Sequence, residues 1–185
     1  MKPARKTVTR RMTVKRAPST LTLSRRIDQV EKEVLLLLKR AAAPSPRPRF
    51  VNLDANGNPT QGDHVAVYQT ATDLIWTAAP VGTDLTQPGA MKAAADCRLL
   101  NASDWYGPTQ HQLFSILDFE FWNPCVDPKH FKGPYGFTWS STPYKGIAGY
   151  FRGVYLDSGN SDCSHQGVHY HALAVRAGQQ LGLRI

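Results

Sequence analysis

The sequence predicts an α+β domain preceded by a basic arm and a single coiled-coil helix. Three observations carry this expectation. The charge is split: residues 1–49 hold 14 Lys/Arg against 3 Asp/Glu, a net +11, whereas residues 50–185 hold 8 against 11, a net −3. Apolar residues recur at heptad spacing between residues 20 and 43. From residue 50 onward, short β-type runs mix with two short helical ones, and two helices followed by an antiparallel set of strands is an α+β pattern. At 185 residues there is room for one ordinary domain plus an appendage.

Residues 1–19, MKPARKTVTRRMTVKRAPS, carry seven Lys/Arg and no acid. Such a segment has too little apolar surface to fold alone and reads as an arm. It is either a solvated tail or a docking arm for an acidic protein surface or nucleic acid, attracted over roughly a Debye length. The residues that would dock it are Arg5, Lys6, Arg10, Arg11, Lys15 and Arg16.

Residues 20–43 fit a heptad. Leu23, Ile27, Val30, Val34, Leu37 and Ala41 are spaced 4-3-4-3-4, with Ile27, Val34 and Ala41 at a and Leu23, Val30 and Leu37 at d. Arg26 at g would face Glu31 at e of a parallel neighbour, and a β-branched Val30 at d disfavours a dimer and leans toward three strands. The expected oligomerisation surface is Leu23, Ile27, Val30, Val34 and Leu37, and the expected assembly a homotrimer. Leu35, Leu36 and Leu38 fall outside that seam and call for a further surface, on a partner or on the chain's own domain. The competing expectation is a monomer with this helix packed on its domain. The alternating prolines of residues 44–50 cannot continue a helix and form a semi-rigid linker, so the folded domain is expected at 51–185.

Within that domain HVAVYQTATDLIWTAA reads as strand, turn and strand, with Asp73 at the turn. GAMKAAADCRLL is an alanine-rich helix. PTQHQLFSILDFE is a second helix with a capping box, Thr109 standing three residues before Gln112, and with Leu113, Ile116 and Leu117 on one face. GFTWSST, AGYFRGVYLDSG and VHYHALAVRAG read as strands, the last two joined through the loop DSGNSDCSHQG. Trp76, Trp105 and Trp139 are expected in the core.

The order of these motifs resembles the C-terminal domain family of a collagen-like adhesin (Lcl), found in bacterial adhesins and phage structural proteins. Asp73-Leu74-Ile75-Trp76 is similar to the family's opening D-x-TGLMW. Ala93-Ala94-Ala95-Asp96-Cys97 resembles its alanine- and cysteine-bearing helix. Trp105 to Thr109, then Gln112-Leu113, Ser115 and Asp118, resemble its W-R-L-P-T-x-x-E-L-x-S-L-x-D. Asn123-Pro124-Cys125-Val126-Asp127 with Phe131, then Phe137 to Thr142, then Val175-Arg176, resemble its N-P-x-I-D…F, Y-W-S-S-T and closing V-R. The likeness spans roughly residues 70–177. The sequence departs from the pattern at Tyr106, Gly107 and Gln112, where the family has Arg, Leu and Glu. The resemblance implies a C-type-lectin-like fold that binds glycans or protein ligands through its loops. No Glu-Pro-Asn-type cluster is present, so calcium-dependent sugar binding is not expected.

Candidates for chemistry are sparse. Asp157 to Asp162 alternate oxygens as a calcium loop would, but lack a distal bidentate Glu and suit a hairpin turn. Cys163, His165, His169 and His171 are zinc-ligand types, yet Cys163 and His165 are expected in a loop, and rim histidines explain the run. Ser140, His130 and Asp127 could be assembled into a nucleophile–base set, but there is no Gly-x-Ser-x-Gly elbow, and no enzyme activity, metal or cofactor is expected. Three cysteines without a CxxC pair allow at most one disulfide. The aromatic, polar stretch at 119–136 is a candidate binding loop as well as a candidate seal for the core. Trp122, His130, Tyr135 and Tyr144 are the expected ligand contacts.

Together these features lead to the expectation of a phage virion structural protein: a trimeric fibre, spike or decoration protein of capsid or tail. Its arm would dock on other virion proteins, and its lectin-like domains would bind a cell-surface glycan or protein receptor. No run approaches the length of a membrane span and the basic start lacks an apolar stretch, so neither membrane insertion nor Sec-type export is expected, and assembly would occur in the host cytoplasm. A bacterial adhesin-like module and a nucleic-acid-associated protein acting through its arm are the alternatives.

Overall fold

The computed structural model describes residues 25–35 and 48–178. The chain divides into two compact units, Met1–Pro46 and Arg47–Ile185. The arm residues Arg5 to Arg16, the heptad residues Leu23, Leu37 and Ala41, and most of the linker lie outside the described residues. In the first unit, residues 25–35 form helix α1. Ile27 and Val30 are each 57% exposed and Val34 47% exposed. Their three- and four-residue spacing puts them on one helix face.

The second unit is a mixed helix-and-sheet domain of the α+β class. Its first sheet has the order β1-β2-β3-β9, from β1 (Phe50–Leu53), β2 (Ala66–Gln69), β3 (Leu74–Thr77) and β9 (Val175–Ala177), with every pair antiparallel. Asp73 makes the β2–β3 turn at φ +52° and accepts hydrogen bonds from the Tyr68 hydroxyl and the Gly178 amide. Short polar residues tolerate this left-handed conformation best after glycine. The second sheet has the order β4-β8-β5-β6-β7, from β4 (Gly82–Leu85), β5 (Phe137–Pro143), β6 (Tyr150–Tyr155), β7 (Ser161–His165) and β8 (Tyr170–Ala172). Its β5–β8 pair is parallel, and its other pairs are antiparallel.

Two helices join the sheets. Helix α2 (Gln87–Ala95) is capped by Thr86, and α3 (Gln110–Ile116) carries the expected capping box between Thr109 and Gln112. Strand β3 is covered on both faces. Ile75 enters a cluster with Leu53, Ala94 and Trp105, while its neighbour Trp76 enters another with Val67, Leu113, Ile116 and Val175, as strand alternation requires. Trp139 packs with Phe137, Ala90 and Ala172 in a third cluster. All three tryptophans are buried, and each indole N–H is satisfied: Trp76 by Gln69 Oε1, Trp105 by the Leu99 carbonyl and Trp139 by the Leu85 carbonyl.

Several elements differ from the sequence expectation. Phe50, placed in the linker, is buried as the first residue of β1, where its ring meets Phe131 edge-on at 5.3 Å. The expected first helix ends at Ala95, because the chain then turns through Leu99–Asn101 with Leu100 at φ +58°. The expected second helix stops at Ile116, where Leu117 turns extended at ψ 142°. The supposed loop DSGNSDCSHQG contains β7, which among the described residues is an edge strand paired only with β6. It shows no apolar alternation because neither of its faces is deeply buried. The final expected strand is two strands in different sheets: Ala172 pairs with Gly82, and Val175 pairs with Trp76.

Candidate functional site

The segment from Asp118 to Cys125 closes on itself. The Asp118 amide donates to the Cys125 carbonyl, the Cys125 amide to the Leu156 carbonyl, and the Phe121 amide to the Asp118 carbonyl. The Asp118 carboxylate accepts from the Glu120 amide and from Arg49 Nη1 at 2.9 Å. Fixed ends free the middle to project: Phe119 is 74% and Trp122 80% exposed. The Phe119 ring leans on the β6–β7 turn, where a Cβ on Gly159 would stand 2.6 Å from Phe119 Cε1. Exposed aromatic faces held on a pinned loop can stack on sugar rings or on the apolar face of a protein ligand.

The other three expected contacts are occupied by the fold's own interactions. His130 Nδ1–H donates to Asn52 Oδ1 at 2.6 Å, and its carbonyl accepts from His64 Nε2–H at 2.9 Å. Burial holds the His130 imidazole below its ordinary pKa, with Asp127 opposing at 3.7 Å, so the ring is neutral at pH 7. The Tyr135 hydroxyl donates to the Phe131 carbonyl at 2.7 Å, and burial raises its pKa. Tyr144 lies between β5 and β6 with the Arg152 guanidinium 4.9 Å over its ring. Trp122 alone of the four is exposed. Phe119 opens the candidate loop 119–136 but is not among the four expected contacts, because the same residue also falls within the expected second helix. The turn at Leu117 is what aims it outward.

The histidine run is dispersed. Cys163 and His165 belong to β7, His171 belongs to β8, and His169 faces Asp84 at 3.2 Å. Among the described residues no three His, Cys, Asp or Glu side chains gather as metal ligands would. Ser140 is fully buried and its hydroxyl donates to the Arg152 carbonyl. Asp157 to Asn160 form the β6–β7 turn, with Gly159 at φ +74°. The three thiols are unpaired, and burial pushes that of Cys97 up. Among the described residues no helix is long and apolar enough to cross a membrane.

Residues 65–176, from the entry of β2 to the middle of β9, match the family model of the Lcl C-terminal domain. No curated protein matches the chain.

Proposed function

The chain belongs to the Lcl C-terminal domain family, which marks it as an adhesin-like, surface-binding module, and we propose that it works as a homotrimeric virion protein. In this reading it is a phage fibre, spike or decoration protein, assembled in the host cytoplasm. Its arm residues Arg5, Lys6, Arg10, Arg11, Lys15 and Arg16 dock on other virion proteins. Helix α1 gathers three copies, and each lectin-like domain presents the Phe119–Trp122 loop to a glycan or protein on the host surface. The observation that carries the binding role is the exposure of both aromatics on a loop whose ends are hydrogen-bonded. Support for assembly comes from the apolar face of α1 at Ile27, Val30 and Val34. Three linked copies multiply a weak contact through effective concentration, which suits surface attachment. The net +11 of residues 1–49 beside the net −3 of the remainder supports separate anchoring and binding ends.

The test is retention of the full chain on isolated bacterial envelopes, compared with Trp122→Ala. A central exposed tryptophan in an interface contributes on the order of 2 kcal/mol or more, so retention should fall at least about tenfold. The melting temperature should hold, because the indole is open to solvent. Retention unchanged by the substitution would contradict the assignment of the loop.

A further inference from the structure

A cleft of about 740 Å³ opens beside the first sheet. It is bounded by the chain from Ala78 to Val81 that follows β3, by the end of α2 with Asp96 to Leu99 beyond it, and by His64 and Lys132. Small-ligand sites typically occupy roughly 300–1,000 Å³ with mostly apolar walls and a few convergent polar groups. This cleft has that composition: Ala79, Pro80, Val81, Ala93 and Leu99 supply apolar wall, while Arg98 and Lys132 supply charge.

The state of each polar group around it decides what could bind. Asp96, the carboxylate among the described lining residues, is paired with the Lys92 ammonium and also lies in the field of Arg98. His64 Nε2–H is spent on the His130 carbonyl. Lys132 Nζ donates to the His64 carbonyl at 2.7 Å, which uses one of the three hydrogens an ammonium carries. Arg98 donates through Nη1 alone, to the Ala95 and Cys97 carbonyls, both at 2.8 Å. Those two bonds cap the end of α2 and fix the guanidinium plane. The opposite edge, Nε with Nη2, has no hydrogen-bond partner among the described residues. A carboxylate fits that edge bidentately, whereas a lone ammonium offers only a point charge. The cleft is therefore a cationic, apolar-walled feature on a part of the chain that is net acidic. Its burial-raised Cys97 thiol stays protonated, which suits binding rather than covalent chemistry.

We propose that this cleft binds a small organic carboxylate with a compact apolar face, such as an N-acylated acidic monosaccharide. The carboxylate sits on the Nε–Nη2 edge of Arg98 with Lys132 as second cation, and the apolar face lies against Pro80, Val81 and Leu99. This site shares no residue with the Phe119–Trp122 loop and requires neither the trimer nor the virion.

The test titrates the full chain with N-acetylneuraminate, glucuronate and phenylacetate, each to about 10 mM, enough to load a millimolar site, while following backbone amide shifts. At least one acid should bind, with shifts centred on Val81, Arg98 and Leu99. Its methyl ester should bind at least about tenfold more weakly, since a charge-assisted bidentate pair is lost. Arg98→Ala should cost a similar factor and Lys132→Gln several-fold. Because Arg98 also caps α2, Ala79→Phe provides an independent arm: it fills the cleft, leaves both cations in place, and should abolish binding in a protein with an unchanged circular dichroism spectrum. Trp122→Ala should leave this binding intact. The proposal is overturned if none of the three acids moves those amides, if the ester matches its acid, or if Ala79→Phe binds like the parent.

Discussion

Gln69 ties three elements together, and replacing it with leucine should expose how much the domain depends on that tie. Its side chain is 2% exposed. Its Oε1 accepts from the Trp76 indole at 3.0 Å and from the Ser115 hydroxyl at 3.2 Å, while its Nε2 donates to the Ser115 carbonyl at 2.9 Å. Gln69→Leu leaves the fully buried Trp76 N–H without a partner, at about 1–3 kcal/mol, and the part-buried Ser115 carbonyl without one donor, at about 1 kcal/mol. The Ser115 hydroxyl keeps its bond to the Gln112 carbonyl, so it adds little. Burying a leucine in place of an amide offsets about 1 kcal/mol. The net loss is about 1–3 kcal/mol, which for a domain of this size lowers the melting temperature by about 3–10 °C. Urea denaturation followed by tryptophan fluorescence, with a thermal melt beside it, measures both quantities. Ser115→Ala serves as the control and should cost about 0.5–1 kcal/mol. A Gln69→Leu protein that melts within about 1 °C of the parent would refute the reasoning, since a cost that small is incompatible with an orphaned buried donor.

Two further outcomes follow from the same geometry. Gly159→Ala should cost about 1–2 kcal/mol in a melt, because φ +74° disfavours a Cβ. It should also weaken envelope retention by displacing Phe119, whose Cε1 stands where the new methyl must go. Stability should fall on acidification below pH 6.5. The folded-state pKa of His130 lies under that ordinary value because of burial, so the unfolded chain binds the proton first and gains as pH drops from 6.5 toward the folded pKa. The measurement is a melt series from pH 7.5 to pH 5 on the parent and on His130→Asn, in which the slope should flatten in the variant.

The parts of the fold that could be read from sequence are those with a local cause. The β2–turn–β3 hairpin announces itself through alternating apolar residues around Asp73, and α3 through Thr109 and Gln112. The unread parts lack such a cause. Strand β7 is a polar edge with no buried face to impose a period, and the stretch from Ala172 to Val175, where the chain passes from β8 to β9, is apolar throughout, so its change of sheet leaves no mark in the pattern. The site divides the same way. An aromatic-rich loop was visible, but composition does not say which rings face water. In that stretch Phe131 is core while Phe119 and Trp122 are exposed. The Arg98–Lys132 cleft could not be read at all, because four separate chain segments build it and no motif links them.

Self-association through α1 is the central claim for function, and light scattering of the full chain beside residues 47–185 tests it most directly. The account predicts three times the chain mass for the full protein and a monomer for the truncated one. A monomeric full chain would contradict it, leaving the apolar face at Ile27, Val30 and Val34 without the role assigned to it.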